Sequence, residues 1–258
     1  MSNNAASPSM DDEQVWYFGY GSNMKLSVMK SRGIAFLDAQ AVSVPGYMLT
    51  FDVFGLPYSE PSMASVAPRE IRSEVGRSKL KEPPPPVHGI AYLLSYPDFR
   101  RVVGSEGGGV AYREITVTGV KCNDATAENL TMTTLTAKYP RRPNAAPSLR
   151  YVTLLREGAE EQGLPTSYQE YLNSLPAFEA GHTWRNRLGA STFLWFGRRI
   201  VRTSARTVRN ATDADGQCPE WYGTLIRVVY KSMWFWHDCI HAPIFGRGDG
   251  GGMSQVGL

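Results

Sequence analysis

The run Tyr17-Phe18-Gly19-Tyr20-Gly21-Ser22, continued by Asn23-Met24, constrains the fold more than any other stretch of the chain. Val15 to Gly19 reads as an aromatic, buried strand. Gly21-Ser22-Asn23 then breaks it with residues suited to a tight turn, and Lys25 to Lys30 follows with helical spacing. A strand that passes through a small, amide-rich turn into a helix makes an anion cradle. Its backbone N–H groups point outward, and the helix start adds positive potential. Glycine in the turn lets a ligand approach the backbone. On these residues alone, an ordinary strand-turn-helix joint accounts for the pattern equally well.

At 258 residues the chain is long enough for one enlarged domain, or for one domain with an extension. An apolar share of 42% against 20% charged residues describes a globular protein. Its 27 basic and 24 acidic side chains leave a net charge of +3, too small to imply nucleic-acid binding. The three cysteines, Cys122, Cys218 and Cys239, are odd in number and widely spaced, which indicates neither a disulfide scaffold nor a zinc ribbon. Residues 1–14 are polar, with no apolar core of a signal peptide, and read as a disordered tail. A cytoplasmic, reducing setting follows as the expectation.

Pro45-Gly46 punctuates two apolar runs, 35–44 and 47–54, as a turn would. The charged stretch 69–81 and the prolines 83–86 read as an exposed loop with a stiff, extended end. Phe99, Val102 and Val103 have helical spacing and place Glu106 just past a helix end. Residues 129–138 alternate as a strand does. Residues 149–162 and 166–174 read as helices, broken by Gly163-Leu164-Pro165.

Beyond residue 176 the composition changes. Between Gly181 and Asn210 lie seven arginines (185, 187, 198, 199, 202, 206 and 209) and no acid. This stretch reads as a solvated surface loop. The alternative, a basic patch facing an anion, stays open because Trp184, Phe193, Trp195 and Phe196 are interleaved with the arginines. Residues 222–245 are aromatic but carry Arg227, Lys231 and Asp238, which argue against a membrane span. A helix packed on the core ranks first, then a partner groove, then membrane-surface contact. His237 and His241 share a helical face, but nothing upstream supplies a third ligand, so no metal is expected. The glycine-rich run 246–252 reads as a flexible tail.

Four stretches, in order, resemble the γ-glutamylcyclotransferase family over roughly residues 15–175. Tyr20-Gly21-Ser22-Asn23-Met24 is similar to its substrate loop and Val87-His88-Gly89-Ile90-Ala91-Tyr92 to its central strand. Ser105-Glu106-Gly107, ahead of Tyr112, resembles the segment that holds the catalytic glutamate. The helix, turn and helix ending in Tyr168-Gln169-Glu170-Tyr171-Leu172 resembles the late part of the family fold. The glycine-rich start also resembles the glutathione-specific branch. The long aromatic tail resembles fungal relatives in secondary-metabolite pathways, of epidithiodioxopiperazine type.

The resemblance implies a mixed α/β fold, a small barrel-like sheet with helices around it, over residues 15–176. Residues 177–258 would form a basic, aromatic helical extension packed on or beside that domain. It implies an enzyme that needs no cofactor, because a γ-glutamyl amide carries its own nucleophile. The α-amine attacks the γ-carbonyl, closes a five-membered ring and releases 5-oxoproline and a free amine. Glu106 would move the proton. The amides of Gly21, Ser22, Asn23 and Met24 would hold the α-carboxylate or the oxyanion. Tyr20 and Tyr112 would form hydrogen-bonding walls, with Tyr139 and Tyr168 as further substrate contacts. Glu114, two residues past Tyr112 on a strand, reads as a salt-bridge partner for an arginine. Three glycines after Glu106 suggest a loose lid or a bulky substrate. A metabolite-binding protein of the same fold, without catalysis, is the alternative that an enzymatic Glu106 excludes.

Overall fold

The computed structural model describes residues 13–69, 84–123, 128–141, 144–213 and 215–250. The expectations for residues 1–12, for 70–83 of the charged loop and for 251–252 of the glycine run fall outside them. In chain order the elements are β1 (Gln14–Gly19), α1 (Leu26–Ser31), β2 (Asp38–Val44), β3 (Tyr47–Leu56), β4 (Glu60–Pro68), β5 (Val87–Ser95), α2 (Tyr96–Ser105), β6 (Tyr112–Lys121), β7 (Leu130–Ala137), α3 (Leu149–Glu161), α4 (Thr166–Ser174), α5 (Trp184–Ala211), α6 (Glu220–Trp236) and, after a π turn, α7 (Ala242–Phe245).

Five strands close into a barrel in the order β1-β5-β2-β6-β7. β5 is apolar on both faces because it is central, antiparallel to β1 on one side and to β2 on the other. Closure comes from a parallel seam between β1 and β7 at Tyr17 and Thr133. On β5, Gly89 is required where β1 ends: a Cβ at this position would sit 2.4 Å from the Gly19 carbonyl oxygen. Phe18, Met24, Ile90, Tyr92, Leu94 and Met132 are fully buried in the main core.

Pro45-Gly46 does not make a hairpin. β2 stays in the barrel, whereas β3 pairs only with β4 in a separate two-stranded ribbon. Tyr58, at the ribbon tip, adopts a left-handed backbone (φ 63°) yet is buried. Its N–H donates to Gly248 O at 2.6 Å, and its hydroxyl bonds His241 Nδ1 at 3.0 Å. These contacts from the chain's end oblige the unusual conformation.

The arginine-rich stretch is a helix of 28 residues, not a loop. Thr183 caps it, and Phe193, Gly197 and Val208 lie on its buried face while most arginines face outward. Phe193 joins Leu56, Tyr58, Ala145, Met233 and Trp234 in a second core between ribbon and extension. Burying each large side chain there contributes about 1.5–3 kcal/mol. The Trp234 indole donates to Gly55 O at 3.0 Å. Among the described residues, no helix is long and apolar enough to cross a membrane.

Residues 246–250 are docked rather than loose, in contrast to the sequence expectation. Asp249 is buried and pairs with Arg247 at 2.6 Å and Arg141 at 3.7 Å. His237 is fully buried: one ring nitrogen bonds Asp238 at 2.9 Å, and the other accepts the Gly248 N–H at 3.1 Å. His237, Asp238 and Asp249 lie close enough to hold a cation. These bonds, however, engage both imidazole nitrogens, and two arginines face the carboxylates. The group acts as a charge-compensated clamp on the chain end.

Burial lowers the His237 pKa below its ordinary value, against the opposing pull of Asp238. The unfolded chain therefore binds the extra proton more readily, and stability falls as pH drops below about 6.5. The melting temperature is expected to fall between pH 7 and 5. In His237→Gln, which keeps a polar side chain without that titration, the slope should be shallower. An unchanged slope would remove His237 from this role.

Candidate active site

The site forms where β1 leaves the barrel. The loop after it is a 3-10 turn over Ser22–Met24, and α1 starts only at Leu26. The Met24 N–H already donates to Gly21 O at 3.1 Å, and Met24 is fully buried. Met24 is thus a core residue, and the loop amides that remain for a ligand are those of Gly21, Ser22 and Asn23. Positive charge at the site comes from a side chain, Arg32, at the far end of α1.

Glu106 is delivered by α2. Ser95 caps that helix by accepting from Asp98 N at 3.2 Å, and Phe99, Val102 and Val103 bury its inner face. Glu106 is its C-cap, after which Gly107, Gly108 and Gly109 all have positive φ (91°, 55° and 76°). Three successive left-handed residues explain the triple glycine. The loop is anchored: Gly108 N donates to Val103 O at 3.1 Å, and Gly108 O accepts from Cys218 N at 2.8 Å.

The Glu106 carboxylate meets Arg32 Nη1 at 2.5 Å and Asn23 Nδ2 at 3.1 Å. Both partners of the ion pair are about one-fifth exposed, with side-chain values of 22% and 19%. Burial works against the Arg32 charge, but Glu106 more than offsets it and holds the guanidinium protonated. Arg32 also donates to Ser105 Oγ at 2.8 Å.

A narrow slot beside this pair is lined by Tyr17, Tyr20, Gly21, Ser22, Asn23, Ala64, Tyr112, Leu135 and Tyr151. Tyr20 donates to Leu135 O, and Tyr112 donates to Ala64 O at 2.9 Å. Tyr17 accepts from Asn23 Nδ2 at 2.8 Å, and Tyr151 accepts from Ala64 N at 3.3 Å. Burial first, then neighbouring negative charge that includes Glu106, pushes the Tyr17, Tyr20, Tyr112 and Tyr151 pKa values upward. All four stay neutral phenols at physiological pH. Because Asn23 Nδ2 serves both Glu106 and Tyr17, its Oδ1 is fixed as an acceptor, and that oxygen is buried without a partner.

Next to the slot lies a cavity of about 220 Å³, lined by Val103, Gly109, Arg113, Glu114, Lys138 and Gln217 and sharing Glu106, Tyr112 and Leu135 with it. Glu114 pairs with Arg100 at 2.9 Å, the salt bridge expected of it.

The structure thus brings together Tyr20, Gly21, Ser22, Asn23, Tyr112 and Glu106. It does not bring Tyr139 or Tyr168 to them. Tyr168 is buried against His88, with ring centroids 4.5 Å apart, and Tyr139 lies farther out under Arg227. Sequence reading missed Tyr17, Arg32 and Tyr151. Tyr17 was visible inside the aromatic strand, where its spacing equally suited a core role. Arg32 and Tyr151 carry no local signal, being brought in from helices remote in sequence.

A family model described as the AclK C-terminal domain matches residues 183–244. The chain is 48% identical over 244 residues to the γ-glutamyl cyclotransferase gliK of Aspergillus fumigatus, covering 92% of this chain and 89% of that protein. It is 34% identical over 252 residues to the γ-glutamyl cyclotransferase aclK of Aspergillus oryzae, covering 93% and 91%. Among solved structures, an uncharacterized human protein matches with a TM-score of 0.52 at 19% identity, over 70% of this chain and 99% of that one. A barrel and site of this kind define a mixed α/β enzyme with a half-buried carboxylate facing an amide-rich loop. The chain belongs to the γ-glutamyl cyclotransferase family.

Proposed function

We propose that Glu106 is the proton-transfer group of an intramolecular cyclisation. The slot holds the γ-glutamyl end of the substrate. The amides of Gly21, Ser22 and Asn23 bind its α-carboxylate or the developing oxyanion. The observation that carries this reading is the pairing of a carboxylate with an orphaned acceptor: Glu106 and Asn23 Oδ1 lie together at the slot. An α-ammonium group supplies the donors that such a pair lacks. Bound there, it is held for attack, and holding the reacting atoms together supplies much of the rate enhancement of a ring closure.

Glu106 takes one proton from the α-ammonium, which frees the nitrogen lone pair to bond to the γ-carbonyl carbon, and returns it to the leaving nitrogen as the amide C–N bond breaks. The second proton, lost from the ring nitrogen as the lactam forms, passes by the same carboxylate to the released amine. The products are 5-oxoproline and a free amine. Arg32 holds the Glu106 carboxylate in place, and Tyr17 and Tyr151 are neutral donors placed for the tetrahedral oxygen. The substrate is proposed to be a γ-glutamyl amide derived from a glutathione conjugate in fungal secondary metabolism. Support comes from the cavity beside Glu106 and from the aromatic extension around it. A cytoplasmic setting is proposed on the three free cysteines.

The test is 5-oxoproline release, measured by mass spectrometry from γ-glutamyl-alanine, glutathione and a bulky glutathione S-conjugate. Release that is fastest from the S-conjugate is expected. Equal release from all three would remove the conjugate from the proposal, and no release from any would remove the reaction.

A further inference from the structure

We infer that the carboxy-terminal extension completes a leaving-group subsite that selects amines bearing a carboxylate, an inference that rests on the cyclisation proposed above. The narrow slot is walled by four tyrosines and the loop and carries the groups assigned above to the glutamyl end, the loop amides and Asn23 Oδ1. The amine that departs must lie within reach of Glu106, which protonates it. The 220 Å³ cavity opens from the slot at the three residues they share, Glu106, Tyr112 and Leu135. Its volume corresponds to roughly seven waters at about 30 Å³ each. That is room for an amino-acid residue attached to the amide nitrogen.

The charges lining this cavity are unbalanced. Glu114 is engaged by Arg100 at 2.9 Å and by Gln217 Nε2 at 3.1 Å. Arg113 and Lys138 remain. Lys138 Nζ has a long contact to Gly109 O at 3.4 Å, a loose one, 3.9 Å, to Glu220, whose side chain is 94% exposed, and the Tyr139 ring at 6.0 Å. Lys138 is itself about one-third exposed. A half-buried ammonium that lines this cavity with no carboxylate closer than 3.9 Å among the described residues matches an anion brought by the ligand.

The extension shapes the far wall. The segment between α5 and α6 lies over the glycine loop: Cys218 N bonds Gly108 O, and Arg100 Nε bonds Asp215 O at 2.5 Å. Gln217 reaches the cavity itself. A Cβ on Gly109 would come within 2.5 Å of Gln217 Oε1, so the third glycine leaves room for that side chain. From Gly109 and Lys138 the depression continues past Tyr139, Cys218 and Glu220, and Tyr139 also lines a wider groove with Phe54, Trp234 and Phe235. The carboxylate of the leaving amine pairs with Lys138, and a large apolar substituent on that residue lies along the aromatic groove.

The probes are γ-glutamyl-alanine and γ-glutamyl-alaninamide, which differ in one charge and hardly in shape. In the wild-type enzyme, kcat/KM is expected to favour the carboxylate by about tenfold or more, the ratio that about 1.4 kcal/mol provides. Lys138→Met should raise KM for γ-glutamyl-alanine by about tenfold with kcat within threefold, while leaving the alaninamide within twofold. Lys138→Arg should restore the preference, and Gln217→Ala should raise KM with little change in kcat. Equal turnover of both probes by the wild type, or parallel losses on both in Lys138→Met, would overturn the subsite and leave the cyclisation standing. Release of 5-oxoproline from neither probe would instead overturn the reaction, and the subsite with it.

Discussion

Glu106→Gln is expected to lower 5-oxoproline release by about a thousandfold, within the roughly 10²–10⁴ range that a positioned acid–base group contributes. Glutamine keeps the shape and an acceptor oxygen, so Asn23 Nδ2 still has a partner at the position where it now bonds the carboxylate at 3.1 Å. Arg32 keeps its bond to Ser105 Oγ. Folding is therefore expected to survive, with a melting temperature within a few degrees of the wild type. Substrate affinity, measured by calorimetry with a slowly turned-over substrate, should change only a few-fold. A single-turnover rate within tenfold of the wild type would show that another group moves the proton. Glu114, the other carboxylate lining the cavity beside Glu106, is held by Arg100 and Gln217.

Arg32→Met is expected to lower kcat/KM at pH 7 by about 10- to 100-fold. The guanidinium 2.5 Å from Glu106 fixes where the carboxylate sits beside Asn23 and the loop. Without it the carboxylate is free to turn away from the slot, and a misplaced acid–base group loses much of its contribution. Arg32→Lys retains the charge but loses the fork that also holds Ser105, and should recover part of the lost kcat/KM. A kcat/KM within twofold of the wild type in Arg32→Met would reduce Arg32 to a structural contact. The side chain is about one-fifth exposed, so loss of folding is not expected to obscure the result.

The sequence made the elements around the candidate site legible where a local pattern carried the information, and the barrel through the resemblance of four stretches to one family. The strand ending at Gly19, the break at Gly21-Ser22-Asn23 and the helix delivering Glu106 all follow from short-range spacing and caps. Glu114, on a strand two residues past Tyr112, was expected to make a sheet-face salt bridge with an arginine, and Arg100 is that partner. Arg32 illustrates the opposite case. It lies 74 residues from Glu106, and nothing around Arg32-Gly33 distinguishes it from a helix-end arginine. Met24 and Tyr168 match family positions, yet their burial places them in the core.

The extension shows why the remainder was hidden. An arginine-rich stretch with no acids reads as a loop when charge is counted. Phe193, Gly197, Ser204 and Val208 nevertheless provide a narrow buried stripe, enough for a helix once the ribbon supplies a partner. The glycine run after Phe245 reads as flexible because glycine is permissive. Its order comes from Tyr58, His237 and Arg141, all distant in sequence.

By itself, then, the sequence determined the strand into the amide-rich loop and the helix that ends at Glu106, since each is written in residues close together along the chain, while the barrel and the class of chemistry were legible through four stretches that resemble one family. Tertiary structure alone decided which cation faces Glu106, that Tyr17 and Tyr151 join Tyr20 and Tyr112 around the slot, and that the extension reaches the cavity beside it. Those pairings depend on closing long loops between remote segments, and their energy resides in contacts that no local pattern records.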